Sequence, residues 1–372
     1  PPLSKAVLSD GADPLVDRIG DEAFYRDNDI DLRLGTRIGS IDPDRRTVQP
    51  ENGAAIPYDR LLLTTGARAR TLPLPGAELD NVLTLRSATD ARRLAPELAP
   101  GRSVVLVGGG FIGLEVAASA RKHGCEVTVL EAAPRLLARM AGSEIADHVA
   151  RVHAGQGVAL HLSASVSAFE GRERVEAVRL GDDSRIPADL VVVGIGAQPN
   201  VELAAAAGLD CDDGILVDEH ARTSAPDVLA AGDATSHMNA WLGRRLRLES
   251  WENAELQSTN AAKTICGDPE PYGGVPWFWT DQFDMNLQIL GIDEPEARSL
   301  PRGKSESGAF CLFRIRDADD GVRIVAAYLI NCGRDRRPVK RLIESRRTVE
   351  AAALADPDRP LRELAAARGA ER

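Results

Sequence analysis

The densest chemistry in the chain is the run "VVLVGGGFIGLE", where Gly108, Gly110 and Gly113 form G-x-G-x-x-G between an apolar stretch and a helical pattern. Such a turn suits a dinucleotide. The first glycine permits a tight turn, the second lets the backbone approach a pyrophosphate, and the third allows helix to pack closely on strand. The helix that follows offers free N–H groups and a positive dipole end to phosphate oxygens. Alone the motif is weak, but the next apolar run ends in Glu131. A carboxylate at that distance hydrogen-bonds the adenosine ribose 2′-hydroxyl and repels a 2′-phosphate, so NAD(H) is the expected ligand. Glu115, two residues past the third glycine, reads either as a first-turn carboxylate favoured by the helix dipole or as part of a site.

Two further turns end apolar runs. "GIGAQPN" (Gly194 to Asn200) brings flexible backbone to the end of "ADLVVV", the place where doubly wound sheets bind ligands. "APDVLAAGDAT" runs a short strand into Gly232 and Asp233, where the aspartate could equally be a turn former.

The elements that must position these turns follow from periodicity. "RSVVLVGGGFIGLEVAASARKHGCEVTVLE" reads as strand, glycine turn, helix and strand, and "SEIADHVARVHAGQGVALHL" repeats helix then strand. That alternation predicts a mostly parallel sheet covered on both faces. Before it, an apolar strand over 60–64 meets the "TTGA" turn, and "ATDARRLAPELAPG" reads as a charged helix ending at proline and glycine. After it comes a helix over 253–267, then from about residue 270 strand-like runs such as "GAFCLFRIRD" and "GVRIVAAYLIN" with a basic helical tail. This last region reads as α+β.

Composition bounds the rest. The chain has 372 residues, 44% hydrophobic and 27% charged, enough for two or three domains. A formal charge of −11 argues against a nucleic-acid or anionic-membrane binder, which needs a basic footprint. No apolar run is long enough to span a bilayer. Cys125, Cys211, Cys266, Cys311 and Cys332 are odd in number and far apart, with no C-x-x-C and no cluster at metal spacing. They read as isolated residues in a reducing, cytoplasmic compartment, with no metal site expected.

Taken in order, "PPLSK", "LLLTTGARAR", "VVLVGGGFIGLE", "EAAPRLLAR", "ADLVVVGIGAQPN", "DVLAAGDAT", "ESWENAELQ", "PWFWTDQ" and "NCGRDRRPVKRLI" resemble the pyridine nucleotide-disulfide oxidoreductase superfamily. More narrowly, the chain resembles the FAD-dependent ferredoxin reductases that serve ring-hydroxylating dioxygenases and cytochromes P450. The resemblance implies an α/β fold of two Rossmann-like dinucleotide-binding domains, the FAD one split and N-terminally incomplete, plus a C-terminal α+β domain. The expected segments are 1–99 and 217–269 for FAD, 100–216 for NAD and 270–372 for the C-terminal domain. It further implies that Thr65, Gly66 and Ala67 lie against FAD, that Asp233 bonds its ribitol and pyrophosphate region, and that Trp251 lies at the flavin. Lys5 matches a lysine beside the isoalloxazine, where it can stabilise the anionic reduced ring. Glu115 matches a carboxylate near the nicotinamide, and Gly108, Gly110, Ile112, Gly113, Glu131, Gly194 and Gly196 are expected to hold NADH.

The family opens with its own G-x-G-x-x-G unit for the FAD pyrophosphate, and nothing before "PPLSK" corresponds to it. The chain as written is therefore expected to bind FAD weakly or not at all. The implied activity passes electrons from NADH through FAD to a [2Fe–2S] ferredoxin, steered to Arg334, Arg336, Arg337 and Lys340 on an otherwise acidic protein; a solvated helix face is the competing explanation of those charges. Other activities on the same scaffold remain in view: a rubredoxin reductase, an NADH oxidase, a disulfide reductase, or an NADH-binding module without catalysis.

Overall fold

The computed structural model describes residues 2–13 and 19–366. Pro1, quoted above in "PPLSK", lies outside them. Contacts divide the chain into two compact units. The first gathers the described parts of Pro1–Asp17, Ala69–Ala197 and Trp279–Arg372; the second gathers those of Arg18–Arg68 and Gln198–Phe278.

In the first unit five parallel strands lie in the order Val82–Leu83, Leu190–Val193, Ser103–Val107, Glu126–Glu131 and Val158–Leu162. Their central members are continuous apolar runs because both faces are covered. Helices Phe111–Lys122 and Ser143–Gly155 pack on this sheet. An antiparallel sheet of Val166–Gly171, Val175–Leu180 and Arg185–Pro187 covers it as well, with Phe169 and Val178 sharing a core with Val105, Val107, Val191 and Val193. Register sets Val193 beside Val107 and Val107 beside Leu130. The three residues that follow, Gly194, Gly108 and Glu131, therefore meet at one carboxyl edge, beside the strand from which the chain departs in both directions.

The same unit, which the chain re-enters at Trp279, holds a mainly antiparallel sheet in the order Trp277–Gln282, Met285–Gly291, Gly321–Ile330, Phe310–Ala318 and Arg298–Arg302. Helix Arg336–Glu344 buries Val339, Leu342 and Ile343 and packs on the strands Met285–Gly291 and Gly321–Ile330. This is the α+β region that the sequence implied.

The second unit is built from short strands. Leu61–Leu63 pairs in parallel with Val228–Ala230, Leu63 opposite Ala230. The "TTGA" turn and the Gly232–Asp233 turn thus leave neighbouring strands at the same end. Helix Trp251–Ile265 begins two residues earlier than expected because Ser250 caps it, accepting a hydrogen bond from the Asn253 N–H at 3.2 Å. In the first unit, the charged helix predicted over 88–101 instead ends at Leu94 and tightens into Ala95–Glu97, since Pro96 cannot donate the next helical bond.

Candidate functional site

The glycines of the nucleotide turn have different duties. Gly108 has φ +111°, and a Cβ there would stand 2.4 Å from the Gly194 carbonyl oxygen. A Cβ on Gly113 would stand 2.1 Å from the Gly108 carbonyl oxygen. Both positions are closed by backbone. Beside Gly110 a Cβ would meet only the Gly194 oxygen, at 4.0 Å, so that face of the turn is open to a ligand. Gly110 also begins helix Phe111–Lys122 without a side-chain cap, which leaves the first N–H groups available to an anion. Ile112, 39% exposed, sits in that first turn. Gly196 has φ +109°, and a Cβ there would come within 3.1 Å of an Arg139 guanidinium nitrogen. Glu131 accepts from the Gly109 N–H at 2.6 Å and from the Ala133 N–H at 2.7 Å, which holds its negative charge at the edge of the turn. These groups fit a dinucleotide pyrophosphate and ribose.

One turn further along the same helix lies Glu115. The sequence suggested a first-turn carboxylate stabilising the dipole; the helix starts at Phe111 and its first turn holds no acidic residue, so that explanation fails. Glu115 is 4% exposed and is satisfied by side chains from two distant segments. Ser4 donates to Oε2, Thr280 donates to Oε1 at 2.6 Å, and Lys5 Nζ stands 3.6 Å from Oε1. Lys5 also pairs with Asp281 at 3.0 Å and lies 5.1 Å from the centroid of the Trp279 ring. Its short N-terminal segment, Leu3–Val7, is a wide helical turn rather than regular α-helix.

The network continues inward. Gln282 Nε2 donates to Thr280 Oγ1 at 3.0 Å, and Gln282 Oε1 faces His153 Nε2 at 2.9 Å. A carbonyl oxygen only accepts, so His153 carries its proton on Nε2. Burial holds its pKa below the ordinary imidazole range, although the Gln282 bond opposes this. Every donor in the chain from His153 through Gln282 and Thr280 therefore points toward Glu115, which is thereby fixed as an acceptor.

In the second unit, Thr65 and Asn200 clamp each other. Thr65 Oγ1 donates to the Asn200 carbonyl at 2.7 Å and Asn200 Nδ2 returns a bond to the Thr65 carbonyl at 2.8 Å. Gly66 follows with φ +63° and open space where a Cβ would stand; Ala67 is buried. Gly232 donates to Gln257 Oε1 at 2.8 Å, and that oxygen also accepts from Thr235 at 3.0 Å. Asp233, half-buried, shares this turn. Trp251 is 54% exposed at the first position of its helix, so it is no ordinary core aromatic. An open αL glycine, a carboxylate turn and an unburied indole fit a flavin nucleotide.

Ser4, Thr280, Gln282, His153, Asp281 and Asn200 were not singled out from the sequence. Each lay in a stretch quoted whole without a role of its own: Thr280, Asp281 and Gln282 in "PWFWTDQ", Asn200 in "GIGAQPN", Ser4 in "PPLSK" and His153 in "SEIADHVARVHAGQGVALHL". One further expectation is corrected. The cysteines are not all isolated: the sulfurs of Cys311 and Cys332 and a carboxylate oxygen of Asp335 lie within 4.8 Å of one another, because a hairpin register joins what the chain separates.

Comparison with known proteins matches residues 1–258 to the pyridine nucleotide-disulphide oxidoreductase family and 277–365 to the reductase C-terminal domain. The anthranilate 1,2-dioxygenase system ferredoxin–NAD(+) reductase component of Burkholderia cepacia is 42% identical, covering 96% of this chain and 87% of that protein. The crystal structure of the ferredoxin reductase for the CYP199A2 system from Rhodopseudomonas palustris superposes with TM-score 0.93 at 38% identity, over 98% of this chain and 90% of that one. The covalent putidaredoxin reductase–putidaredoxin complex matches with TM-score 0.94 at 36% identity, over 100% and 89%.

Proposed function

The chain belongs to the pyridine nucleotide-disulphide oxidoreductase family, among its FAD- and NAD(H)-using ferredoxin reductases, and on that premise we propose that it passes electrons from NADH to a [2Fe–2S] ferredoxin serving an oxygenase. The observation that carries this reading is that the helix opening at the NAD turn delivers Glu115 to Lys5. On this reading the helix that opens at the nucleotide turn holds the lysine charge of the Leu3–Val7 segment beside it through an ion pair.

When bound, FAD supplies the conversion of a two-electron donor into single electrons. The chain's own residues supply orientation and electrostatics. The turn from Gly108 to Gly113 and the uncapped helix start hold the pyrophosphate, with Ile112, Gly194 and Gly196 flanking it. Glu131 selects the unphosphorylated ribose. Lys5, held by Glu115 and Asp281, presents a fixed positive charge toward developing negative charge. In the second unit Thr65, Gly66, Ala67, Asp233 and Trp251 are the proposed flavin contacts.

For the ferredoxin we propose the basic helix Arg336–Glu344 and the turn before it. Arg334, Arg337 and Arg341 are exposed, whereas Arg336 and Lys340 are half-buried and have partners of their own. The reading also places the protein in the cytoplasm, supported by five free thiols. Among the described residues no helix is long and apolar enough to cross a membrane.

The test supplies FAD and NADH and compares acceptors: a [2Fe–2S] ferredoxin, a rubredoxin, a low-molecular-weight disulfide and dioxygen. Ferredoxin should be preferred, with NADH better than NADPH by about tenfold. Equal kcat/KM for the disulfide or for dioxygen would overturn the assignment. Charge reversal at Arg334 and Arg337 should raise the ferredoxin KM by about three- to tenfold at low salt; an equal loss with ferricyanide as acceptor would reject the docking face.

A further inference from the structure

A second cluster of reactive side chains lies apart from the nucleotide turns. Cys311 lies in strand Phe310–Ala318 and is 1% exposed. Cys332 follows the paired strand Gly321–Ile330 and heads the turn Gly333–Asp335; it is half-buried. Phe310 lies opposite Ile330, so the chain leaving the hairpin brings Cys332 back to Cys311, and both sulfurs and an Asp335 oxygen sit within 4.8 Å of each other.

We infer that Cys332 is a peroxide-reactive thiol and Cys311 its resolving partner, the two closing to a reversible disulfide at the foot of the basic helix. The two thiols are inequivalent in the sense this needs. The neighbouring Cys311 thiol and the Arg302 guanidinium lower the Cys332 pKa against the opposing effects of burial and Asp335. The Cys332 thiol beside it, then burial, pushes Cys311 up, and burial alone separates the roles, since Cys311 is 1% exposed and Cys332 is half-buried. Arg302 stays in place because the carbonyls of Leu354 and Arg359 accept from it at 3.1 and 2.7 Å.

The chemistry balances with a peroxide as oxidant. The Cys332 thiolate attacks one peroxide oxygen; an S–O bond forms, the O–O bond breaks, and the leaving oxyanion takes a proton to become water or an alcohol. Cys332 is then a sulfenic acid, oxidised by two electrons, and the peroxide is reduced by two. The Cys311 sulfur next attacks the Cys332 sulfur; the S–S bond forms, the S–O bond breaks, and hydroxide leaves as water with the Cys311 proton. The sulfurs must approach to about 2 Å. Cys332 lies in a turn beyond the strand ladder, outside the backbone pairing that holds Cys311. The same three groups would also suit a thiophilic divalent cation, but the neighbouring guanidinium disfavours a second positive charge. This inference does not rest on the docking proposal, although the disulfide would pin the start of helix Arg336–Glu344 to the sheet.

The experiment uses the reduced full chain. It is treated with hydrogen peroxide in modest excess, alkylated and digested with trypsin, which places Cys311 in peptide 305–314 and Cys332 in peptide 324–334. The expected product is these two peptides joined with loss of two hydrogens, reverted by dithiothreitol. Cys311→Ala should leave Cys332 as a sulfenic acid trapped by dimedone. Cys332→Ser, at the less buried position, should leave Cys311 unreacted under the same dose. Recovery of both cysteines as alkylated thiols after peroxide, or oxidation at the exposed Cys266 with Cys332 spared, overturns the inference. So does stoichiometric binding of zinc that shields both thiols from alkylation before any peroxide is added, which would make the cluster a cation site.

Discussion

Two buried histidines distinguish the two units. His153 in the first and His237 in the second are both fully buried, yet His153 feeds a directed hydrogen-bond chain to Glu115, whereas neither ring nitrogen of His237 has a partner. His237 packs its ring 5.1 Å from that of Tyr272, and burial lowers its pKa to about 4. The first unit invests polar groups in placing one carboxylate and one lysine. The second packs its buried imidazole against Tyr272 as a neutral element. His153 is anchored through one ring nitrogen, its Nδ1 being without a partner, whereas His237 is held by packing alone.

Glu115→Ala would break the first unit's side of this contrast most severely. It leaves Ser4 and Thr280 without their acceptor and removes one of the two carboxylates beside Lys5, and the expected loss in NADH-driven turnover is about 10²- to 10³-fold, with a stability cost of about 2 kcal/mol for the buried groups left unsatisfied. Stopped-flow reduction by NADH and thermal unfolding measure the two effects. A turnover change below about threefold with stability alone reduced would leave Glu115 a structural residue.

Acidification probes the second unit. His237 has a folded pKa depressed from 6.5 to about 4, so between those values the unfolded chain binds the proton and the folded one does not. Stability is fully present above pH 6.5 and falls as pH drops toward 4, by on the order of 3 kcal/mol for this one group. His153 adds in the same direction. Denaturant titrations from pH 7 to 4 should show a shallower decline for His237→Leu than for the wild type. Identical slopes would mean that the buried imidazole is not kept neutral by the fold.

A smaller effect separates glycines within the nucleotide turn. Gly113→Ala would drive a Cβ to 2.1 Å from backbone and should impair folding, whereas Gly110→Ala meets nothing nearer than 4.0 Å. The Gly110 variant should fold with unchanged melting temperature and raise the NADH KM by about tenfold, since only the ligand would occupy that space. Unchanged KM would remove Gly110 from the proposed cradle.

The nucleotide turn was legible in sequence because its parts are local. A strand, three glycines and a helix within a dozen residues carry their own geometry, and the second strand delivers Glu131 by simple continuation. The same holds for the basic helix, whose apolar stripe Val339, Leu342 and Ile343 marks the buried side. Trp251 and Asp233 could be named only through resemblance, because a strand-end aspartate and a lone aromatic have several ordinary uses.

What the sequence by itself determined is therefore the set of turns and the alternation of strand and helix that must hold them. What only the tertiary structure decided is which distant side chains close on those turns. Ser4 and Thr280 reach Glu115 from 111 and 165 residues away, Asn200 clamps Thr65 from 135 residues away, and a hairpin register places Cys332 against Cys311. Local spacing encodes backbone geometry. The partners of a buried polar group are instead chosen by the need to satisfy every hydrogen bond once water is excluded, and that condition exists only in the folded chain.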